Sequence, residues 1–470
     1  MDATGKHQDA ARSLVVDSAP SMVMGPSLGC EAGITTLTGK VYDPAGKNPI
    51  FDVVVYVPST TVEPLTMGAS CSSCDSLFSG TPVAATTTKT DGSFVLTEIP
   101  LMPGQTTVPL VLQVGKWRKQ IPSVSVTPCT TAAVPDHTLT LPKNHTDPGN
   151  DIPNIAISTG GADTLECLLR RVGVDAAEYE VGGASPGRIH IFTGSSGGSP
   201  LVPPGSGGGY YGLAPTTNPP APLSYQALWD SVADLLPYDI VLLSCEGNPT
   251  SFVTPASQQN LVQYTAQGGR VFASHYQYAW LDTGPFGADN LADWNIPPGA
   301  TGAGQTPDGG LIVTTAPPLA YGTIVTTFPK GAALYSWLGA VSALALPELA
   351  LPIAEARYDV ITDPAITVST SWITTPNVNG GGLSTEYLSF NTPLQGDAAG
   401  ACGRIVFSDI HVSGAVTPPD YTVGSTSSPD GCTDADLTPQ EKALEFMLFD
   451  LSSCVVPDNE SVAPPPPITK

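Results

Sequence analysis

Cys245, Glu246, His275 and His411 each follow directly on an apolar run of β type, in "YDIVLLSCEG", "GRVFASH" and "GRIVFSDIH". In an open parallel sheet, ligands bind beyond the carboxyl ends of the strands, so three such ends bring these four groups to one edge. A thiol beside an imidazole is a nucleophile with its base, and either His275 or His411 is a candidate to take the proton of Cys245. Imidazole and carboxylate also suit a divalent metal, with His275 and His411 joined by Glu246 or Asp409 as its ligands. No local H-x-x-x-H spacing decides between the two chemistries, so a divalent metal stays open and no other cofactor is expected. A disulfide from Cys245 to Cys167 is the competing expectation, and it removes the nucleophile altogether.

The elements that must position these groups lie between residues 152 and 456. "IPNIAIS" is a buried-type strand, and "TGGADTLECLLRRVGV" is a glycine turn into a helix with Leu165, Leu168 and Leu169 on one face. "GRIHIFTG" is a second strand, in which His190 is read as structural. "SYQALWDSVADLLPYDIVLLSCEG" reads as a helix feeding a strand, and "TPASQQNLVQYTAQGGRVFASHY" repeats that step. Strands alternating with helices imply a parallel sheet covered on both faces. The last helix carries a capping box at Thr438 and Glu441, with Pro439 at its first position, and a stripe of Ala443, Leu444, Met447, Leu448 and Leu451. A Gly/Pro loop over 195–222 is too long for a routine connection.

"YDIVLLSCEG", the helix ending in "LVQYTAQGGRVFASH", and "GRIVFSDIH" before a last helix resemble the trehalose-utilisation (ThuA-like) family of the class I glutamine-amidotransferase-like fold. The resemblance implies an α/β three-layer domain of flavodoxin-like type over 152–456, with an irregular insert at 281–385. It also implies a nucleophilic cysteine at about the position of Cys245. The chain departs from the family at Ile410, where a glycine stands before the last histidine, and at Leu243, which replaces the first glycine of the G-x-C-x-G elbow.

Residues 33–142 alternate short β-rich runs with turns, which suggests a transthyretin-like or Ig-like β-sandwich. "LTGKVYDPAGKNPIFDVVVYV", "TKTDGSFVLTEIP" and "VPLVLQVGKW" resemble the carboxypeptidase regulatory-like domain, a module that implies a non-catalytic appendage of secreted proteins. Residues 1–32 read as an export or linker segment, 143–151 ("KNHTDPGND") as a linker and 457–470 as a Pro-rich tail. The whole is a multidomain chain.

The nine cysteines are spread over a chain of 470 residues with 13% charged residues, about half the usual share, and an oxidising compartment is expected. "MGPSLGC" resembles a lipoprotein signal end with Cys30 as the acylated residue, although Asp17 and Pro20 interrupt the run before it. The disulfide candidates are then Cys71, Cys74, Cys129, Cys167, Cys245, Cys402, Cys432 and Cys454. Cys71 and Cys74 have C-x-x-C spacing but no zinc-site or redox-helix context. The 17 residues from Gly331 to Pro347 are too few to span a bilayer and read as a buried helix, so any membrane attachment is through lipid.

With 18 Lys plus Arg against 42 Asp plus Glu, the net charge of -24 excludes nucleic acid as a partner. The basic cluster "GKWRKQ" (115–120) reads as the polar face of a strand. "DGCTDADLTPQE" (430–441) has acids in some calcium-loop positions but Ala435 at the glycine position, so it reads as a turn and cap. Tyr210, Tyr211, Tyr276, Tyr278 and Trp280 are candidates for stacking on sugar rings. "STGGADT" lacks the phosphate-loop lysine.

The reading is an exported, disulfide-stapled protein of the cell envelope that binds a carbohydrate or envelope ligand without turnover. Its rival is a hydrolase or carbohydrate-processing enzyme built on Cys245, His275 and His411 or on a bound metal.

Overall fold

The computed structural model describes residues 30, 33–71, 78, 81–160, 163–181, 186–194, 223–246, 253–295, 319–354, 356–378, 381–394, 400–411 and 436–460. The chain is rich in β-structure. Its first part is a β-sandwich of two sheets. One sheet orders the strands Ser93–Leu96, Thr36–Tyr42 and Thr131–Ala133, with Leu139–Thr140 also on Thr36–Tyr42. The other orders Pro82–Thr87, Val54–Pro58, Thr107–Val114, Trp117–Ser125 and Asn150–Asp151. Alternation drives the pairing, because Leu37, Val41, Val55, Val57, Leu110 and Leu112 all turn into one apolar interior. Residues Asn150–Asp151, in the polar segment 143–151, pair with Lys119 and Arg118, and Arg118 forms an ion pair with Asp151 at 2.7 Å.

A second, larger sheet follows. Six parallel strands lie side by side in the order Tyr179–Val181, Ile189–Thr193, Ile155–Ser158, Ile240–Leu243, Arg270–Ser274 and Gly403–Ser408. Their runs, such as Ile240–Leu243, are buried at every position, as strands covered on both faces require. The chain reverses its direction of travel across the sheet at Ile155–Ser158, which puts a switch point between that strand and Ile240–Leu243. Beyond Gly403–Ser408 the sheet continues with antiparallel partners, Leu383–Thr392, Thr370–Pro376, Ala320–Ile324 and Leu351–Ile353. Thus much of the segment 281–385 extends the sheet.

Two helices differ from the sequence expectation. The helix expected before Ile240 is broken into Gln226–Trp229 and Val232–Leu235, because Ser231 is extended and its hydroxyl accepts the amide of Ala233, starting a new helix. The apolar stretch 331–347 is helical only to Ala340, in Pro329–Ala340, and buries one face through Leu334, Trp337 and Leu338.

The last helix, Pro439–Ser452, has the capping box at Thr438 and Glu441. It buries more than one stripe. Met447 and Leu451 belong with Ile155 and Leu168 to a core that also holds Leu37 and Trp117 of the sandwich. On the sandwich side Phe449 meets Trp117 edge-on at 5.7 Å and Phe446 stacks on Phe51 at 6.0 Å. Each buried aromatic of this kind contributes roughly 1.5–3 kcal/mol. Lys116 closes the same interface from the hairpin, with an ion pair to Asp239 at the start of a parallel strand. Of the basic cluster, Lys116 thus helps to hold the two parts together, while Arg118 and Lys119 lie in the strand Trp117–Ser125 of the sandwich.

Disulfides add to this. Cys30 is bonded to Cys129, and Cys71 to Cys402, the latter tying the sandwich insertion to the large sheet. Cys167 and Cys454 are also disulfide-bonded. Cys74 and Cys432 lie outside the described residues. Two expectations are corrected here. Cys30 is a half-cystine, so its sulfur is not available for the thioether of a lipid anchor. Cys245 is a buried thiol, so it leaves the set of disulfide candidates and has no bond to Cys167. Disulfides of this number point to an extracytoplasmic compartment. Among the described residues no helix is long and apolar enough to cross a membrane.

Candidate functional site

Cys245, His275 and His411 meet at the carboxyl ends of the three adjacent strands Ile240–Leu243, Arg270–Ser274 and Gly403–Ser408. Parallel register sets this meeting: Leu243 lies beside Ala273, and Ser274 beside Ser408, so the next residues of each chain segment leave the sheet at one level. Cys245 Sγ lies 3.3 Å from His275 Nδ1, and His411 Nε2 lies 3.1 Å from that same nitrogen. The other ring nitrogen of His275, Nε2, is 3.2 Å from Asp359 Oδ2. The contact is at ion-pair distance without hydrogen-bond geometry, so Asp359 favours a proton on Nε2 through its charge and leaves Nδ1 facing the thiol.

The surroundings fix each member. His275 has φ of +44°, a left-handed backbone that a non-glycine residue adopts at a cost of about 1–2 kcal/mol, and such outliers gather at functional sites. Tyr276 stacks on its ring at 3.9 Å. Gln277 Nε2 donates to Ser244 O at 2.8 Å, which ties the His275 turn to the Cys245 turn. Gln440 Nε2, on the last helix, donates to His411 O at 2.7 Å. Gly160 makes room for Cys245 itself, since a Cβ at that glycine falls 2.0 Å from Cys245 O. Ser274 donates to Asp163, which follows the first parallel strand.

Carboxyl groups stand behind the histidines. Burial pushes Asp359 up to about 7, against the lowering effect of Arg357. Asp409 accepts the Asp359 amide at 3.0 Å and is held well above the usual carboxylate range by burial and by the charges of Asp359 and Glu386. Glu386 is likewise raised, by burial first, and accepts the Thr375 hydroxyl. His411 is held well below the ordinary imidazole value by burial, then by Arg357 and His275, so it is a neutral ring.

Not every candidate joins the cluster. Glu246 is buried beside Gly194, where a Cβ would lie 2.9 Å from its Oε1, and it is not in the donor set of Cys245, His275 and His411. Asp409 accepts the Asp359 amide and is likewise not in that donor set. His190 is half-buried and satisfied by Tyr238 OH at 2.9 Å and Gly187 O at 3.0 Å, with burial lowering its pKa. Tyr276, Tyr278 and Trp280 are buried in the turn after His275, and Trp280 packs on Trp229, so they form no open platform for a sugar. Tyr210, Tyr211 and residues 430–435 of the acidic loop lie outside the described residues. Asp359 is the residue that the sequence reading missed. Its signal is a faint one: "RYDVITD" repeats the Tyr-Asp-apolar start of "PYDIVLL".

No protein-family model matches this chain, and no curated protein matches it. Among solved structures, a type II cohesin–X–dockerin complex from Acetivibrio cellulolyticus with an N-terminal interface mutation aligns over 32% of this chain and 78% of that one, at 14% identity and a TM-score of 0.16. The C-terminal interface mutant of the complex gives 13% identity, the same coverage and a TM-score of 0.16. A score that low carries no argument about fold or function.

Proposed function

We propose that this chain is an extracytoplasmic enzyme on a ThuA-like, class I amidotransferase-like α/β scaffold, with Cys245 as the nucleophile of a hydrolase acting on an amide or ester of the cell envelope. The observation that carries this reading is the alignment of Cys245 Sγ, His275 and Asp359, at 3.3 and 3.2 Å across the two nitrogens of one ring. Nucleophile, base and orienting carboxylate in that order are what thiol catalysis uses. The thiol proton moves to His275 Nδ1 as Sγ bonds to the substrate carbonyl carbon. Asp359 stabilises the imidazolium. The leaving amine or alcohol then takes that proton, and water cleaves the thioester to return the thiol and a carboxylic acid. The sandwich serves as a docking or spacing module, and its broad contact with the last helix makes it a rigid one.

A second reading is ligand binding without turnover, as first expected from the sequence. Burial counts against turnover, because Cys245, His275 and His411 are only 0%, 3% and 1% exposed. The test is a screen of the non-reduced protein against amide, ester and glycan substrates beside Cys245→Ser. Hydrolysis lost in Cys245→Ser supports the enzyme, and binding of an envelope glycan with no turnover by either protein supports the second reading.

A further inference from the structure

The thiol relay uses Cys245, His275 and Asp359 and leaves His411 without a part. Yet His411 Nε2 is directed at His275 Nδ1, 3.1 Å away, and its own Nδ1 has no hydrogen-bond partner among the described residues. His275 Nδ1 thus faces two groups at once, a thiol and a second imidazole, while it has one lone pair to offer. Whether Nδ1 accepts or donates, it serves only one of the two well, a poor hydrogen-bond arrangement in a buried place. Three donor atoms around one point are a good arrangement for a cation.

We propose that Cys245, His275 and His411 bind a thiophilic divalent cation of the zinc class, and that the bound ion silences the thiol nucleophile. The donor atoms of all three residues lie within 4.8 Å of one another. In a tetrahedral zinc site with the usual bond lengths, neighbouring ligand atoms are about 3.3–3.6 Å apart, close to the 3.1 and 3.3 Å found here. The donor set of one thiolate and two imidazoles suits zinc or a similar borderline ion better than calcium or magnesium. Asp359 on His275 Nε2 is the outer carboxylate that metal-bound histidines usually have. Charge also favours the ion, since a divalent cation offsets the Cys245 thiolate in a buried place. On binding, the thiol proton leaves to solvent and its lone pair goes to the ion, so neither attack nor proton transfer to His275 remains open.

The silencing part rests on the nucleophile reading; the binding part does not. The test uses the whole chain, non-reduced and stripped of metal by a chelator. Zn2+ is titrated by calorimetry, Co2+ by absorption, and Cys245 alkylation by iodoacetamide is followed by peptide mapping with and without Zn2+. One equivalent bound, a thiolate-to-cobalt charge-transfer band, and alkylation slowed at least about tenfold by zinc are expected. Cys245→Ser should lose the band, and His411→Ala should weaken zinc at least about 100-fold. Unchanged zinc affinity in both variants, or no stoichiometric binding by the parent protein, overturns the proposal. If His411→Ala does not fold, the near-isosteric Cys245→Ser decides alone. Metal binding with no hydrolysis by the metal-free protein would sink the enzyme reading and leave the metal site standing.

Discussion

Gly115 is the point where the sandwich hairpin touches the end of the last helix, and replacing it by alanine measures how firmly the two parts are joined. It is the first loop residue of the two-residue turn between Val114 and Trp117, with φ of +54°. An added Cβ falls 1.8 Å from Ser452 O and 2.7 Å from Ser452 C, both backbone atoms. Gly104 is its control: φ is +83°, but nothing lies within 4 Å of a Cβ built there. Both substitutions carry the left-handed penalty of about 1–2 kcal/mol. Only Gly115→Ala must also push the helix away, for roughly 1–3 kcal/mol more. Urea unfolding of the two variants should therefore separate them, with Gly115→Ala about 2–5 and Gly104→Ala about 1–2 kcal/mol less stable than the parent. Equal losses would refute the contact, and with it the rigid seat of the last helix that carries Gln440 to His411.

Asp52 is pushed up to about 7 by burial, so the folded protein holds its proton over a range where the unfolded chain has lost it, and stability falls as pH rises from about 4 to about 7. Asp52→Asn, which tolerates the φ of +60°, should flatten that slope and gain about 2–4 kcal/mol above neutrality; an unchanged pH profile of unfolding would contradict this. Lys116→Met leaves Asp239 buried without its cation and should cost about 2–4 kcal/mol, much of it recovered in the double variant with Asp239→Asn, as a double-mutant cycle would read. Asp359→Asn keeps the shape but lets Nε2 of His275 become an acceptor, so hydrolysis should fall by about 100- to 10,000-fold; a loss below about threefold would remove Asp359 from the relay.

The strand ends that bear Cys245, His275 and His411 are legible in the sequence, because "IVLL", "RVFAS" and "GRIVFS" are short, mostly apolar runs with a helix between the first two. Their convergence follows from parallel register, which any such sheet imposes. Asp359 is not legible in the same way: it precedes a strand of only two residues, Val360–Ile361, in a stretch with no period. Cysteine parity tells that one of nine is left over but not which one, and "MGPSLGC" drew attention to Cys30 when, among the described residues, the sulfur outside a disulfide is that of the buried Cys245. The aromatics after His275 are equally visible, but their role depends on burial, and Tyr276, Tyr278 and Trp280 turn inward. The helix Pro439–Ser452 shows one stripe in sequence, yet it packs on two sides, since nothing in its own period announces the sandwich that covers Phe446 and Phe449.

The most direct test of the account is the reactivity of Cys245 itself. Non-reduced, metal-free protein is treated with iodoacetamide across pH 5 to 9, and the alkylated cysteines are mapped before and after reduction. The account predicts that Cys245 is modified in the native protein, faster than in Asp359→Asn, while Cys30, Cys71, Cys129, Cys167, Cys402 and Cys454 react only after reduction. A Cys245 that stays inert until the protein is unfolded, or that is found in a disulfide, would contradict it.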